Sequence, residues 1–352
     1  MSEADAIQLL RRALVIEGHR DCYEQIHRLN SGDEDPVNDL VVPRLRLGHV
    51  DLVVYSVGGD SLAHSNGRDM RLLATLENIS QLKRAISNSD GEIHLVLDTD
   101  DLAHHPNDAV GFVMHLEGGG PLEGSLAALE ALFDLGVRSM QPAWNLRNAL
   151  GDGVRESGTE GGLTRFGVEV LQTMERWGML IDLAHIAPAG FWHALRITSN
   201  TLLVSHANAR AVHDHPRNLD DEQLKAIAER GGVVGIHALP VFVDESRPTI
   251  DRLIDHVAHI ADLIGIEHVA FGGDFVRSDG PRSGREQIPP RVVEELDRFG
   301  EIDDMPHLVE GMIARGFGEG DIELVLGTNF NRVLMATLPS SSTGKEEPND
   351  DD

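Results

Sequence analysis

Short apolar runs recur along this chain, and stretches with the period of an amphipathic helix separate them. The runs lie at 13–18, 49–57, 109–116, 137–143, 179–184, 201–205, 232–237 and 268–273. Helical patterns fall between most of them, at 69–87, 122–135, 164–177, 188–198, 220–230 and 249–263. Strands that alternate with helices through right-handed crossovers predict a parallel sheet. Eight such runs predict an α/β fold, a closed TIM-type (β/α)8 barrel. The competing architecture is an open doubly wound sheet, but no Gly-rich phosphate loop of the expected form follows the first strand. A leading helix is expected over 3–13 and two closing helices over 305–338. Residues 276–304, rich in Pro, Gly and charge, read as a long loop or insertion. From Pro339 the chain is polar and acidic and reads as a disordered tail. Residues 1–338 are therefore expected to form the barrel and 339–352 the tail.

Composition narrows the partners. The chain has 352 residues, 41% of them hydrophobic, enough for one large core. Its 30 basic and 58 acidic side chains leave a formal charge of −28. Such a surface repels phosphate backbones and anionic lipid, so neither nucleic acid nor a membrane surface is an expected partner. A well-solvated surface accounts for most of the acidity. Cys22 is the single cysteine, which excludes an intrachain disulfide. No apolar run is long enough to span a bilayer, and the first residues are polar, with no signal-peptide core. A cytoplasmic protein is the expectation.

In a (β/α)8 barrel the chemistry sits where the strands end, so the functional reading rests on those positions. The first run leads through Gly18 into His19-Arg20-Asp21. Alternate residues of a strand share a face, so His19 and Asp21 can reach one ion from one strand end. The third run ends on Glu117 ahead of three glycines, and the fourth leads into Trp144-Asn145. His185 follows the fifth, His206 the sixth and Asp274 the eighth. Any one of these alone has a plain structural explanation. A strand-end His is more often hydrogen-bonded within the core, and a structural part of that kind is expected for His115, His237 and Asp182. Asp274 alone would pass for a loop or helix cap. Three His, two Asp and one Glu at one mouth point instead to a centre for two divalent metal ions. Imidazole suits zinc, and carboxylate suits zinc or manganese. Glu117 is the natural bridge between two such ions, which would activate water and polarise a carbonyl. Asp274 is the candidate to take the water's proton and pass it to a leaving amine.

Several segments together carry a family resemblance. They are Leu116-Glu-Gly-Gly, Leu163-Thr-Arg-Phe-Gly, Gly178-Met-Leu-Ile-Asp-Leu-Ala-His185, Ser205-His-Ala-Asn-Ala-Arg-Ala, His215-Pro-Arg-Asn-Leu-Asp-Asp-Glu-Gln and Gly327-Thr-Asn-Phe-Asn-Arg-Val. With them the chain resembles the membrane dipeptidase (renal dipeptidase) family, the M19 metallopeptidases, from the leading helix to Leu338. The resemblance implies a (β/α)8 barrel, a binuclear zinc site, a homodimer and cleavage of dipeptides. It implies metal ligands at His19, Asp21, Glu117, His185 and His206, and an acid/base at Asp274. It further implies that Arg217 grips the substrate's carboxylate, a role suited to the planar guanidinium fork. The chain departs from the family pattern at three places. The first motif is Glu17-Gly18-His19-Arg20-Asp21-Cys22-Tyr23 in place of Asp-Gly-His-Asn-Asp-Leu-Pro. The fourth strand leads into Ala143-Trp144-Asn145 where the family has Thr-His-Asn, a His that steadies the substrate carbonyl. Indole donates one hydrogen bond and is far bulkier than imidazole. After Asp274 the family's second Asp-Gly is replaced by Val276-Arg277.

The expected activity is hydrolysis of a dipeptide or similar small amide, with Trp144 and Asn145 facing the substrate beside Arg217. Two alternatives stand next to it. One keeps the metals but acts on a lactone, ester or N-acyl amino acid, or decarboxylates. The other is a metal-bound protein without catalysis, against which the intact Asp274 argues.

Overall fold

The computed structural model describes residues 3–60, 70–156, 158–275 and 300–340. Its strands are β1 (Ile16–Arg20), β2 (Leu52–Gly59), β3 (Ile93–Leu95), β4 (Val110–Glu117), β5 (Val137–Met140), β6 (Leu180–Ile181), β7 (Leu203–Val204), β8 (Val233–Ile236) and β9 (Val269–Phe271). Every ladder is parallel. The pairing order is β1-β2-β4-β5-β6 in one sheet and β7-β8-β9 in another. A parallel bridge between Asp182 and Leu203 joins the two, and there the Leu183 N–H donates to the Leu203 carbonyl at 2.8 Å.

All of the expected runs contain strands, and the architecture is the TIM-type α/β barrel. Its seam between β9 and β1 has no ladder among the described residues. Contact is made there by the Gly273 N–H donating to Glu17 Oε1 at 2.7 Å. Gly18 permits that approach, because a Cβ at this position would stand 2.7 Å from both the Phe271 carbonyl oxygen and the Phe330 ring. Any larger residue would push β1 away from β9.

Interior strand positions are filled by branched aliphatic residues, and strands β1 and β2 are buried along their whole length. Helices cover the outside and start where their caps dictate. The Thr164 hydroxyl accepts from the Gly167 N–H, Asp220 and Gln223 form a capping box, and Thr249 accepts from the Arg252 N–H. These caps fix the helices Arg165–Arg176, Asp221–Glu229 and Ile250–Ile264 close to their expected bounds.

Some elements differ from expectation. Strand β3 shares one edge of β4 with β5, pairing Ile93 with Val110, and is too short to announce itself. Helices Tyr23–Asn30 and Val42–Leu47 lie between β1 and β2, where a polar Ser-Gly-Asp-Glu-Asp turn and two prolines break the periodicity. Two closing helices are expected, but the chain forms Met305–Arg315, the short Glu319–Glu323 and Asn329–Thr337, the last two linked by a π-helical turn at Leu324–Thr328. Of the expected loop at 276–304, only 300–304 lies among the described residues, and the tail expectation falls almost wholly outside them. No helix of the described residues is long and apolar enough to cross a membrane.

One core histidine gives the fold a pH dependence. His256 is fully buried in the helix Ile250–Ile264. Its Nδ1 accepts from the Ala209 N–H at 3.1 Å and its Nε2–H donates to the Val243 carbonyl at 2.9 Å, which ties the segment after β7 to the outer shell. Burial, with the charges of Arg252 and His213, lowers its pKa to about 4, against the opposing pull of the Val243 carbonyl and Asp255. The unfolded value is about 6.5. Stability from the neutral ring is therefore complete above about pH 6.5 and is lost as pH falls towards the folded value, by roughly 3 kcal/mol in all. The stability advantage of the wild type over His256→Gln is expected to shrink as pH falls from 7 to 4.5 in urea unfolding. A constant difference would show that the pKa of His256 is the same in the folded and unfolded states.

Candidate metal centre

The C-terminal ends of the strands bring His19, Asp21, Glu117, His185, His206 and Asp274 to one mouth. His19 lies on β1 and Asp21 just beyond it, and Glu117 is the last residue of β4. His185 and His206 follow β6 and β7, and Asp274 follows β9. His19 Nε2 stands 3.6 Å from Asp21 Oδ1, 3.6 Å from Glu117 Oε1 and 3.9 Å from Asp274 Oδ1. Glu117 Oε1 also lies 3.3 Å from His185 Nε2 and 4.0 Å from His206 Nε2. Two donor groups able to hold a cation result, His19-Glu117-His206 and His19-Asp21-Asp274. They share His19.

The outer ring nitrogens of His185 and His206 are held by hydrogen bonds. His185 Nδ1 meets Asn145 Oδ1 at 3.0 Å. His206 Nδ1 meets Ser205 Oγ at 2.8 Å, and that hydroxyl donates to Asp182 Oδ2 at 2.5 Å. Asp182 also accepts from Gln141 Nε2 and from the N–H groups of Ala184 and Ser205. The donor–acceptor order puts a proton on each Nδ1 and leaves each Nε2 as a lone pair. Those two Nε2 atoms stand 2.8 Å apart beside Glu117. Two lone pairs at that distance next to a carboxylate call for a cation, so the residues fit a metal ion.

The electrostatics agree. Burial pushes the His19 imidazole down, but Asp21, Glu117 and Asp274 outweigh it and lift its pKa to about 10. The field that favours a proton on His19 favours any cation. Burial, with the charges of Arg217 and His19, drives His185 and His206 well below the ordinary imidazole range, as deprotonated ligands require. Burial raises the Asp274 carboxyl, but His237, His19 and Arg217 bring it below its usual value.

The backbone is strained where the chemistry gathers. His185 and Asp274 have φ of 65° and 50°, the left-handed region that favours glycine. Neighbours hold both. The His185 carbonyl accepts from the Val154 N–H at 2.7 Å. Gly273, next to Asp274, donates to Glu17 and accepts from the Ala238 N–H at 3.0 Å.

Arg217 is buried and its Nη2 donates to the His206 carbonyl at 3.0 Å, while its Nε has no partner. Burial lowers its pKa to about 10, against the pull of Asp274, Glu117 and Asp182, so it stays a cation at neutral pH. Trp144 is half-buried, its ring centroid 5.9 Å from that of His185. Its backbone N–H donates to Asp60 Oδ2, which also accepts from Asn148, while Asp60 Oδ1 accepts from the Gly120 N–H. Asp60 thereby fastens the loops after β4 and β5 together. Val276 and Arg277 lie outside the described residues.

The model of the membrane dipeptidase family, peptidase family M19, matches residues 3–343. The chain belongs to this family. Membership makes it a metallohydrolase of the dipeptidase type, and the family's chemistry implies a divalent metal. An uncharacterized protein from the pqqA 5′ region of Klebsiella pneumoniae is 31% identical, covering 73% of this chain and 94% of that protein. An uncharacterized dipeptidase of Schizosaccharomyces pombe is 28% identical over 95% of this chain and 83% of its own length. A metallopeptidase from Rhodobacter sphaeroides, solved with a phosphinate mimic of the dipeptide L-Ala-D-Ala, shares the fold. Its TM-score is 0.77 at 22% identity, over 92% of this chain and 99% of that one.

From sequence, His237 and Asp182 have a purely structural part. In the fold, His237 Nε2 meets Asp274 Oδ2 at 3.0 Å, and Asp182 supports His206 through Ser205. The sequence signal for either is no more than its place at the end of an apolar run. Asn145, expected to face the substrate, has its side-chain oxygen on His185 Nδ1.

Proposed function

We propose that this protein hydrolyses dipeptides or closely related small amides at a binuclear divalent centre, zinc foremost. The observation that carries the reading is the pair of donor groups sharing His19, one of which includes Asp274, with buried Arg217 nearby. His19 and Asp21 would hold one ion, His185 and His206 the other, and Glu117 would bridge them. When bound, such ions supply Lewis acidity to the scissile carbonyl and make water a competent nucleophile near neutral pH. Asp274 takes the proton that the attacking water gives up and delivers it to the amine nitrogen as the C–N bond breaks. Arg217 receives the substrate's free carboxylate, and its unpartnered Nε supports that role. Family membership and the dipeptide mimic bound by the Rhodobacter relative support a dipeptide as substrate. We further propose a cytoplasmic homodimer.

Arg217→Ala is expected to raise KM for dipeptides by about 10- to 150-fold, the value of a lost charge-assisted hydrogen bond, with a smaller change in kcat. The effect should vanish for dipeptide amides, which lack the carboxylate. Steady-state kinetics on matched acid and amide substrates checks this. An unchanged KM for the free acid would mean that no carboxylate binds there.

Trp144 favours a second reading, in which the same centre serves a different small amide, ester or lactone. Its indole stands near His185, where the family pattern has a His to steady the carbonyl. Gain of dipeptidase activity on Trp144→His, with loss of a lactone or N-acyl amino acid activity, would support this reading over the first.

A further inference from the structure

We infer that His237 is a positioning residue for Asp274, holding one carboxylate oxygen so that the other faces the mouth. This rests on the proposed acid/base role of Asp274. His237 follows β8 and Asp274 follows the neighbouring β9, so the two lie 37 positions apart in the chain but meet at the same strand ends. His237 Nε2 lies 3.0 Å from Asp274 Oδ2, and both residues are buried. An ionised carboxylate only accepts, so Nε2 carries the proton, and Nδ1 is a bare nitrogen without a hydrogen-bond partner. Asp274 Oδ1 likewise has no hydrogen-bond partner and points to within 3.9 Å of His19 Nε2. The carboxylate is thus divided, with one oxygen committed to His237 and the other turned to the metal-binding donors.

His237 is itself rigidly placed. Its N–H donates to Asn208 Oδ1 at 3.1 Å and its carbonyl accepts from Asn208 Nδ2 at 2.9 Å. Its ring packs edge-on against His206 at 5.1 Å and at a tilt against Phe242 at 4.7 Å between centroids. Turning the ring away from Asp274 would disrupt these contacts. Asp274 gains from such a partner, because its backbone sits in the left-handed region in the loop beyond the three-residue strand β9, outside the sheet ladder. Misplacing a reacting group by about 1 Å costs on the order of 100-fold in rate.

The test is steady-state kinetics of the zinc-loaded protein on L-Ala-D-Ala and L-Ala-L-Ala, with metal counted in each preparation. His237→Leu is expected to lower kcat by about 10- to 100-fold, with KM and metal content unchanged. His237→Gln, which retains a donor near the Nε2 position, should recover most of that loss. In the Asp274→Asn background, His237→Leu should have almost no further effect, because residues acting as a unit are not additive. Equal losses in the Leu and Gln variants, or an undiminished effect in the Asp274→Asn background, would overturn the inference. Full activity of Asp274→Asn would instead overturn the acid/base reading itself. Should the Leu variant fail to fold, the tautomer decides. Nitrogen-15 shifts of His237 in the unmutated protein should show a protonated Nε2 and a bare Nδ1, and the reverse would overturn the inference.

Discussion

Glu117→Ala is expected to abolish turnover and to release bound metal. Glu117 is 2% exposed and its Oε1 lies within 4.0 Å of three imidazole nitrogens, those of His19, His185 and His206. No other carboxylate among the described residues touches all three. Removing it takes the carboxylate from the His19-Glu117-His206 group and removes one of the three carboxylates that lift His19. Metal-ion catalysis supplies several kcal/mol of transition-state stabilisation, so kcat/KM should fall on the order of a thousandfold or more. Metal analysis of the purified variant should show clearly less metal per chain than the wild type. Retained turnover with full metal content would mean that the centre does not run through Glu117.

Asp274→Ala should lower kcat on the order of 100- to 10,000-fold, the span of general acid–base catalysis by a positioned side chain. KM should change little, because Arg217, proposed to bind the carboxylate, and the other metal-binding donors remain. Asp274→Asn is the cleaner comparison. Asn tolerates a left-handed backbone, so it removes the base without adding strain at φ 50°. If the Asn variant keeps its metal and loses kcat, proton transfer is the function lost. If it keeps kcat, another group moves the proton.

Much of the site is legible in the sequence because a barrel gathers strand ends. Once the apolar runs are read as parallel strands, His19, Asp21, Glu117, His185, His206 and Asp274 have to converge, whatever their separation along the chain. Residues that orient them are less legible. Asp182 reaches His206 only through the Ser205 hydroxyl, and His237 reaches Asp274 across two neighbouring strands. Both look like core polar residues until the partner is seen, since periodicity reports burial and not hydrogen bonding. The seam of the barrel is also beyond sequence reading. A closed barrel implies a ladder between the last strand and the first, but Glu17 makes the join with its side chain. Nothing in the pattern of an apolar run distinguishes a laddered edge from one bridged by a carboxylate. The bond from the Asn145 side-chain oxygen to His185 is equally invisible in the sequence, where only its place beside Trp144 can be read.

The most direct test of the central claim joins two readouts on one preparation. Metal is counted in the purified protein, and the same sample is assayed on a panel of L-L and L-D dipeptides with and without EDTA. The expected result is about two divalent ions per chain, dipeptide hydrolysis, and loss of both on chelation. Hydrolysis that survives complete removal of metal would contradict a metallopeptidase centre. Two ions with no cleavage of any dipeptide would contradict the dipeptidase assignment and turn attention to Trp144.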